Sequence, residues 1–338
     1  MITVENLTKS FPGDSGPVHA LQDVTLDVPA GSITGVVGPA GSGKSTLARL
    51  VALQERPDSG VIRFDGFNTS GLDLRRLRAA RRRIGVVQRG GLLEQRTAAG
   101  NIALPLEQAG VDGPQRREKV GRLLDLIGLT DKAAHYPEAL TPGQQARVAV
   151  ARALVGDPGL LLADDPTRDL DADGAAGVLT VLDRARAELG ATVLVATDDA
   201  GVVRRIADDV ALLDGGRITE AGHLLSLVQD PRSAVAQSLL PEIDAPKAAK
   251  ARHDRLAEVV LVGFAAVGAL LPEATSRFGT TISVVGGGLT RIGETPVARF
   301  LLGLSGTQAD TALTWIAERG GQVQQRRTGP QGLVTACA

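Results

Sequence analysis

The sequence predicts two α/β domains in tandem, a larger one on a mostly parallel sheet and a smaller α+β one at the C-terminal end. Three observations predict this. Short β-branched runs alternate with helical periodicity through the first 240 residues, an order that calls for a parallel sheet covered on both faces. A glycine-rich loop sits between one such run and a helix. After a stretch rich in Pro, Ala and Lys the rhythm restarts as β-α-β-β-α-β over residues 256–338, the ferredoxin-like order.

The elements follow in chain order. Ile2–Leu7 and Val18–Val28 read as strands split by the turn residues Pro12-Gly13-Asp14-Ser15-Gly16-Pro17. Ile33–Val37 is a buried strand. Helical patterns run over Leu72–Arg83, Gln115–Ile127, Gly143–Val155, Ala175–Leu189 and Asp199–Ala207, with buried strands at Leu160–Ala163, Thr192–Ala196 and Val210–Leu213. Residues 241–255, with Ala245-Pro246-Lys247-Ala248-Ala249-Lys250, read as a linker. The second domain begins with strand Leu256–Phe264 and helix Val267–Phe278. Strands Ile282–Thr290 and Val297–Leu304, helix Gln308–Arg319 and strand Gln322–Arg326 complete it.

Composition excludes several classes. Basic and acidic residues number 37 and 38, without the basic excess that nucleic-acid binding needs. Aromatics are 2%, too few for a base-stacking platform. The single cysteine, Cys337, forms no internal disulfide, and the four histidines show no metal-ligand spacing. The most apolar uncharged stretch, Val259–Pro272, has 14 residues, whereas a span needs about 20. The N-terminus lacks the pattern of a secretory signal. Six arginines within Arg75–Arg83 read as a solvated helix face, Trp315 as core, and Gly286-Gly287-Gly288 as a bulge or flexible strand end.

Two segments carry chemistry. Gly38-Pro39-Ala40-Gly41-Ser42-Gly43-Lys44-Ser45-Thr46 fits the phosphate-loop pattern G-x-x-x-x-G-K-[ST] and lies between strand and helix, the required context. Its backbone N–H groups and the following helix N-terminus suit phosphates. Lys44 is expected to reach the β- and γ-phosphates and Ser45 to hold Mg²⁺. Leu160–Ala163 ends in Asp164-Asp165. After a phosphate loop, the first acid is expected to hold Mg²⁺ and the second to polarise the attacking water.

With these in place the chain resembles the nucleotide-binding subunits of ABC transporters over about residues 1–240. Phe11 stands where they carry an aromatic that stacks on adenine. Leu140-Thr141-Pro142-Gly143-Gln144 matches their Leu-Ser-Gly-Gly-Gln signature, Ala149–Leu154 continues its helix, and Arg168-Asp169-Leu170-Asp171 fills the D-loop. Ala79–Gly85, Gly100–Glu107 and the C-terminal domain are similar to the ATPase subunits of methionine importers. The resemblance implies a P-loop NTPase domain over 1–240, then a ferredoxin-like regulatory domain over 256–338 that senses methionine. There Thr281 and Ser283 are the side-chain candidates. It implies ATP and Mg²⁺ as cofactors. Gly38, Gly41, Gly43, Lys44, Ser45 and Thr46 would bind ATP together with Phe11, and with Thr141, Gly143 and Gln144 of a second copy. Ser45, Gln88 and Asp164 would hold the metal, and Asp165, Gln88 and Asp198 would occupy catalytic positions. A homodimer on membrane permease subunits at the cytoplasmic face, an indirect substrate-binding protein and no nucleic acid complete what it implies.

Four positions depart from the family pattern. Ile84-Gly85-Val86-Val87-Gln88 is one residue short of Ile-Gly-x-x-Phe-Gln, so Gln88 or Arg89 takes the glutamine place, and Arg89 cannot ligate Mg²⁺. Pro142 replaces a signature glycine and has no N–H. Asp165 replaces glutamate. Asp198 follows Thr197 where relatives carry a histidine, and a carboxylate there repels phosphate unless Asp198-Asp199 serves only to cap the next helix. These departures leave an alternative reading, an ATP-binding regulatory or structural subunit with impaired hydrolysis. They also lead to the expectation that Asp165→Glu with Asp198→His raises turnover.

Overall fold

The computed structural model describes residues 2–13, 16–88, 90–244 and 253–326. Arg89, Cys337 and the middle of the expected linker lie outside the described residues. The chain divides into two units, 1–221 and 222–338, so the helices at 224–229 and 234–239, which the sequence left unassigned within the expected domain 1–240, fall with the second.

In the first unit, β1 (Ile2–Phe11) pairs antiparallel with β2 (Val18–Val28) and with β4 (Ser59–Phe64), and β5 (Phe67–Asn68) extends this sheet. The second sheet has the order β10-β9-β3-β8-β7-β6, from β3 (Ile33–Val37), β6 (Ile84–Val87), β7 (Leu160–Asp164), β8 (Thr192–Thr197), β9 (Asp209–Asp214) and β10 (Arg217–His223). The pairs among β6, β7, β8, β3 and β9 are all parallel. The parallel sheet is the one expected from the alternation of strands and helices, and the first two strands build a separate antiparallel sheet, since parallel neighbours would need a long crossover between them.

Strand alternation divides the core. Leu160, Leu162 and Leu194 face one cluster with Leu47 and Leu50 of α1 (Lys44–Val51) and with Ile2, Val4 and Leu21 of the antiparallel sheet. Leu161, Ala163, Val193 and Val195 face the other. There they meet α3 (Ala98–Gln108), α4 (Gly113–Leu126), α5 (Pro142–Leu154) and α6 (Ala172–Leu189). The period of two along each strand produces this division. Helix α2 (Leu74–Arg82) buries no residue, as expected of the arginine-rich face, and rests Leu77 and Ala80 half-buried against the first cluster. Arg81 on it donates to the Leu53 carbonyl at 2.6 and 2.8 Å. After β8 comes α7 (Ala200–Ile206).

The second unit opens with α8 (Leu224–Gln229) and α9 (Ala234–Leu239). Its sheet has the order β12-β13-β11-β14, built from β11 (Arg255–Val262), β12 (Thr281–Ile292), β13 (Thr295–Ser305) and β14 (Gln322–Arg326). The short α10 (Phe264–Val267) and α11 (Leu270–Phe278) follow β11, and α12 (Ala309–Glu318) follows β13. Trp315 is buried in the cluster these helices form with Ala257, Val259 and Leu261. Gly287 lies at φ +92° beside a bulge between Val284 and Gly286, and a Cβ there would meet the Arg299 carbonyl at 2.0 Å. On the face of β11 away from these helices, Leu256, Glu258 and Val260 are buried, and α8 packs against β11.

Candidate functional site

Parallel register assembles the site from distant segments. Val87 pairs with Ala163, so Gln88 leaves β6 alongside Asp164. Asp164 pairs with Ala196, and Asp165 donates its N–H to the Ala196 carbonyl at 2.7 Å. Val37 pairs with Thr197, so Gly38 and Asp198 leave their strands side by side. All four strands end at one edge, where open α/β sheets bind ligands.

The phosphate loop is built by close approach. A Cβ on Gly38 would meet the Leu213 carbonyl at 1.9 Å, and one on Gly43, at φ +105°, would meet the Ala20 carbonyl at 2.3 Å. Gly41 needs its left-handed φ of +80° in open space. Lys44 is buried, and its ammonium donates to the Gly38 and Pro39 carbonyls at 2.7 and 2.8 Å, which keeps the cation within the loop. Ser45 donates to the Asp164 carboxylate at 3.3 Å across 119 residues of chain. Thr46 is buried, and its hydroxyl accepts from Arg49. Gln88 and Asp164 line one open cavity of about 370 Å³. Ser45, Asp164 and Gln88 offer hydroxyl, carboxylate and amide oxygens, the hard donors that Mg²⁺ takes, so these residues fit that ion.

Asp165 is buried and sits at φ +47°. Asp tolerates this left-handed conformation better than most residues with a Cβ, a local reason for the shorter acid. Arg168 donates to it at 2.5 Å, and the same nitrogen lies 3.3 Å from Asp198. The capping expected of Asp198-Asp199 holds for Asp199 and not for Asp198. Asp199 alone caps α7, accepting from the Gly201 N–H at 2.7 Å, while Asp198 faces the guanidinium. Sequence reasoning placed Arg168 only in the D-loop; an arginine three residues after the acid was the available signal.

The signature forms the start of α5. Thr141 is its N-cap, accepting from the Gln144 N–H at 3.3 Å, while the Gln144 side chain accepts from the Thr141 N–H at 3.0 Å. Pro142 occupies the first helical position, where no N–H is required. Gly143 abuts Gly174 at the start of α6, with only 2.6 Å from a Cβ to the Gly174 Cα. Arg152, further along α5, donates to the Gly91 carbonyl at 2.5 Å and so anchors the loop after Gln88. Burial pushes its guanidinium below the usual value. Phe11, half-buried, ends β1 opposite Val18, with the Lys9 ammonium 5.4 Å from its ring centre. In the second unit Thr281 and Ser283 lie on the edge strand β12, paired with Ser305 and Gly303.

A family model described as ABC transporter matches residues 21–168, and a NIL domain model matches 255–325. The methionine import ATP-binding protein MetN of Thermobifida fusca is 41% identical over 328 residues, covering 96% of this chain and 99% of that protein. Its counterpart in Rhodospirillum rubrum is 37% identical over 333 residues, covering 94% and 95%. Among solved structures, a dimeric ATP-binding cassette in a post-hydrolysis state, bound to ADP and Pi, is 33% identical with a TM-score of 0.60, covering 66% of this chain and 98% of that one.

Proposed function

The chain belongs to the family of methionine import ATP-binding proteins, and from that premise we propose how its site works. It is the ATP-binding, ATP-hydrolysing subunit of an ABC importer for methionine. It acts as a dimer with membrane permease partners and associates with the membrane peripherally; among the described residues no helix is long and apolar enough to cross a membrane. Nothing in the relatives favours the impaired alternative.

We propose that each ATP is held between the Lys44 loop of one copy and Thr141, Gly143 and Gln144 of the other, with adenine on Phe11. Lys44 turns from the Gly38 and Pro39 carbonyls to the phosphates. Ser45, Asp164 and Gln88 would hold Mg²⁺, which when bound would neutralise phosphate oxygens. Asp165 orients the attacking water and accepts its proton, a task worth roughly 10²–10⁴-fold. The dimer sits at the cytoplasmic face, and a substrate-binding protein delivers methionine to the permease. Residues 256–338 sense methionine through the β12 segment that carries Thr281 and Ser283.

The observation that carries this reading is the register that brings Gly38, Asp164, Asp165 and Asp198 to one sheet edge, with Ser45 bonded to Asp164. The test is reconstitution of the full chain with its permease in vesicles, following ATP turnover and methionine uptake together. Turnover and uptake that both vanish in Lys44→Ala support it; uptake that persists in that variant overturns it.

A further inference from the structure

Asp198 poses an electrostatic problem. It leaves β8 next to Gly38, at the edge where the phosphate loop begins, and a bare carboxylate there opposes the negative charge of a triphosphate. Asp165 adds a second carboxylate at the same edge. Two like charges about 5 Å from a phosphate are costly even at a protein-surface dielectric.

The structure answers with one cation. A single Arg168 nitrogen reaches Asp165 at 2.5 Å and Asp198 at 3.3 Å. The guanidinium is positioned by its own backbone, since the Arg168 N–H bonds the Asp165 carbonyl at 3.2 Å and closes a turn. It leaves one net negative charge on the three side chains instead of two, the charge that one acid with a neutral histidine would carry. It also holds the buried Asp165 carboxylate from the open side: the Asp165 side chain is 9% exposed, against 45% for Arg168 and 43% for Asp198. The Asp165 contact is therefore the less screened of the two, and the half-exposed Asp198 contact is the one a ligand can perturb.

We propose that Arg168 is a positioning residue for the ATPase reaction, cancelling Asp198 beside the phosphates and fixing the Asp165 carboxylate, so that the Arg168–Asp198 pair takes the place of the missing histidine. This rests on the reading of the edge as an ATP site. Arg168 is not assigned contact with the reacting atoms; it acts through the two acids.

The experiment is a double-mutant cycle on the full chain, with calorimetric titration of a non-hydrolysed ATP analogue, adenylyl imidodiphosphate, in the presence of Mg²⁺. Arg168→Ala is expected to weaken binding by about tenfold, because it leaves Asp198 uncompensated at a partly exposed site. Adding Asp198→Asn is expected to restore affinity to near wild type, since the charge that needed cancelling is gone. Arg168→Lys, which keeps a cation, is expected to retain most of the affinity. A merely structural arginine would give the opposite pattern, with the second substitution adding to the loss. Unchanged affinity in Arg168→Ala, or a double variant as weak as the single one, overturns the proposal. Lys44→Ala in the same titration separates the two readings: if it binds as well as wild type, the ATP-site assignment fails, whereas if it loses binding while Arg168→Ala does not, only the role of Arg168 fails.

Discussion

One nitrogen of Arg168 bonds both Asp165 and Asp198, at 2.5 and 3.3 Å, although the two acids follow different strands, β7 and β8. The relationship changes what a back-substitution should do. A histidine at 198 would offer the guanidinium no anion, and a neutral ring would leave Arg168 paired with residue 165 alone. Asp165→Glu with Asp198→His is therefore expected not to raise kcat while Arg168 stands. Adding Arg168→Ser removes the partner that fixes residue 165, so the triple variant should turn over more slowly than the double. Steady-state turnover of wild type and the two variants checks this, and a triple variant that equals or exceeds the double contradicts it.

Lys44→Ala removes the one ammonium in the phosphate loop, whose present partners are two carbonyls of that loop. Hydrogen bonds to a charged group contribute about 1.5–3 kcal/mol, so Mg²⁺–ATP affinity should fall by roughly 10- to 100-fold. Calorimetry on the two proteins measures it, with equal affinity as the contrary result.

Gly143→Ala tests the signature helix as a packing element. The added methyl would stand 2.6 Å from the Gly174 Cα, and backbone on both sides cannot yield as a side chain would. The expected cost is about 1–3 kcal/mol, read as a lower unfolding temperature. Gly143→Ala combined with any change at Gly174 has no smaller residue to offer, so no compensating partner is expected.

In the second unit, Arg299 donates to Glu258 at 2.7 Å through two nitrogens, with both side chains buried. Removing one partner of a buried pair costs about 3–5 kcal/mol, whereas replacing both with apolar residues is often neutral. Glu258→Ala is expected to lower the stability of this unit strongly, and Glu258→Leu with Arg299→Met to recover most of it. Thermal unfolding of the full chain distinguishes the two, and a single variant as stable as wild type would show that the pair contributes little.

Methionine sensing predicts that added methionine slows ATP turnover by the reconstituted complex, and that Thr281→Val with Ser283→Ala shifts the inhibition to higher methionine. Both positions lie on β12 at the edge of the sheet, so the substitutions should leave folding intact. Inhibition unchanged by the pair would move the ligand to other residues, and no inhibition at millimolar methionine would end the sensing role.

Much of the first unit is legible in the sequence because its signals are local. The phosphate loop is contiguous with β3 and α1, and Thr141 carries its capping partner Gln144 three residues away. Strands β3, β7 and β8 are largely apolar runs of five or six residues. The order of the second domain is equally local, since each helix and strand there has its own period. What went unread was weak at the same scale. Strand β6 has four residues, β4 carries an arginine and two small residues, and α3 holds Pro105 inside it, which reads as a break.

Legible in the chain alone are the phosphate-loop pattern, the capped helix of the signature, the strand-end acids and the second α+β order near the C-terminal end, although the unit that contains it begins at residue 222. Each depends on dihedral preference, capping or periodicity among near neighbours. Folding in three dimensions is what brings Ser45 to Asp164, Gln88 out beside it, helix α8 onto a face of β11, and Arg168 to two acids 33 residues apart. Those contacts depend on the register of parallel strands and on crossovers that return the chain to one sheet edge. No spacing along the chain states that register, because pairing is settled by the packing of both sheet faces together.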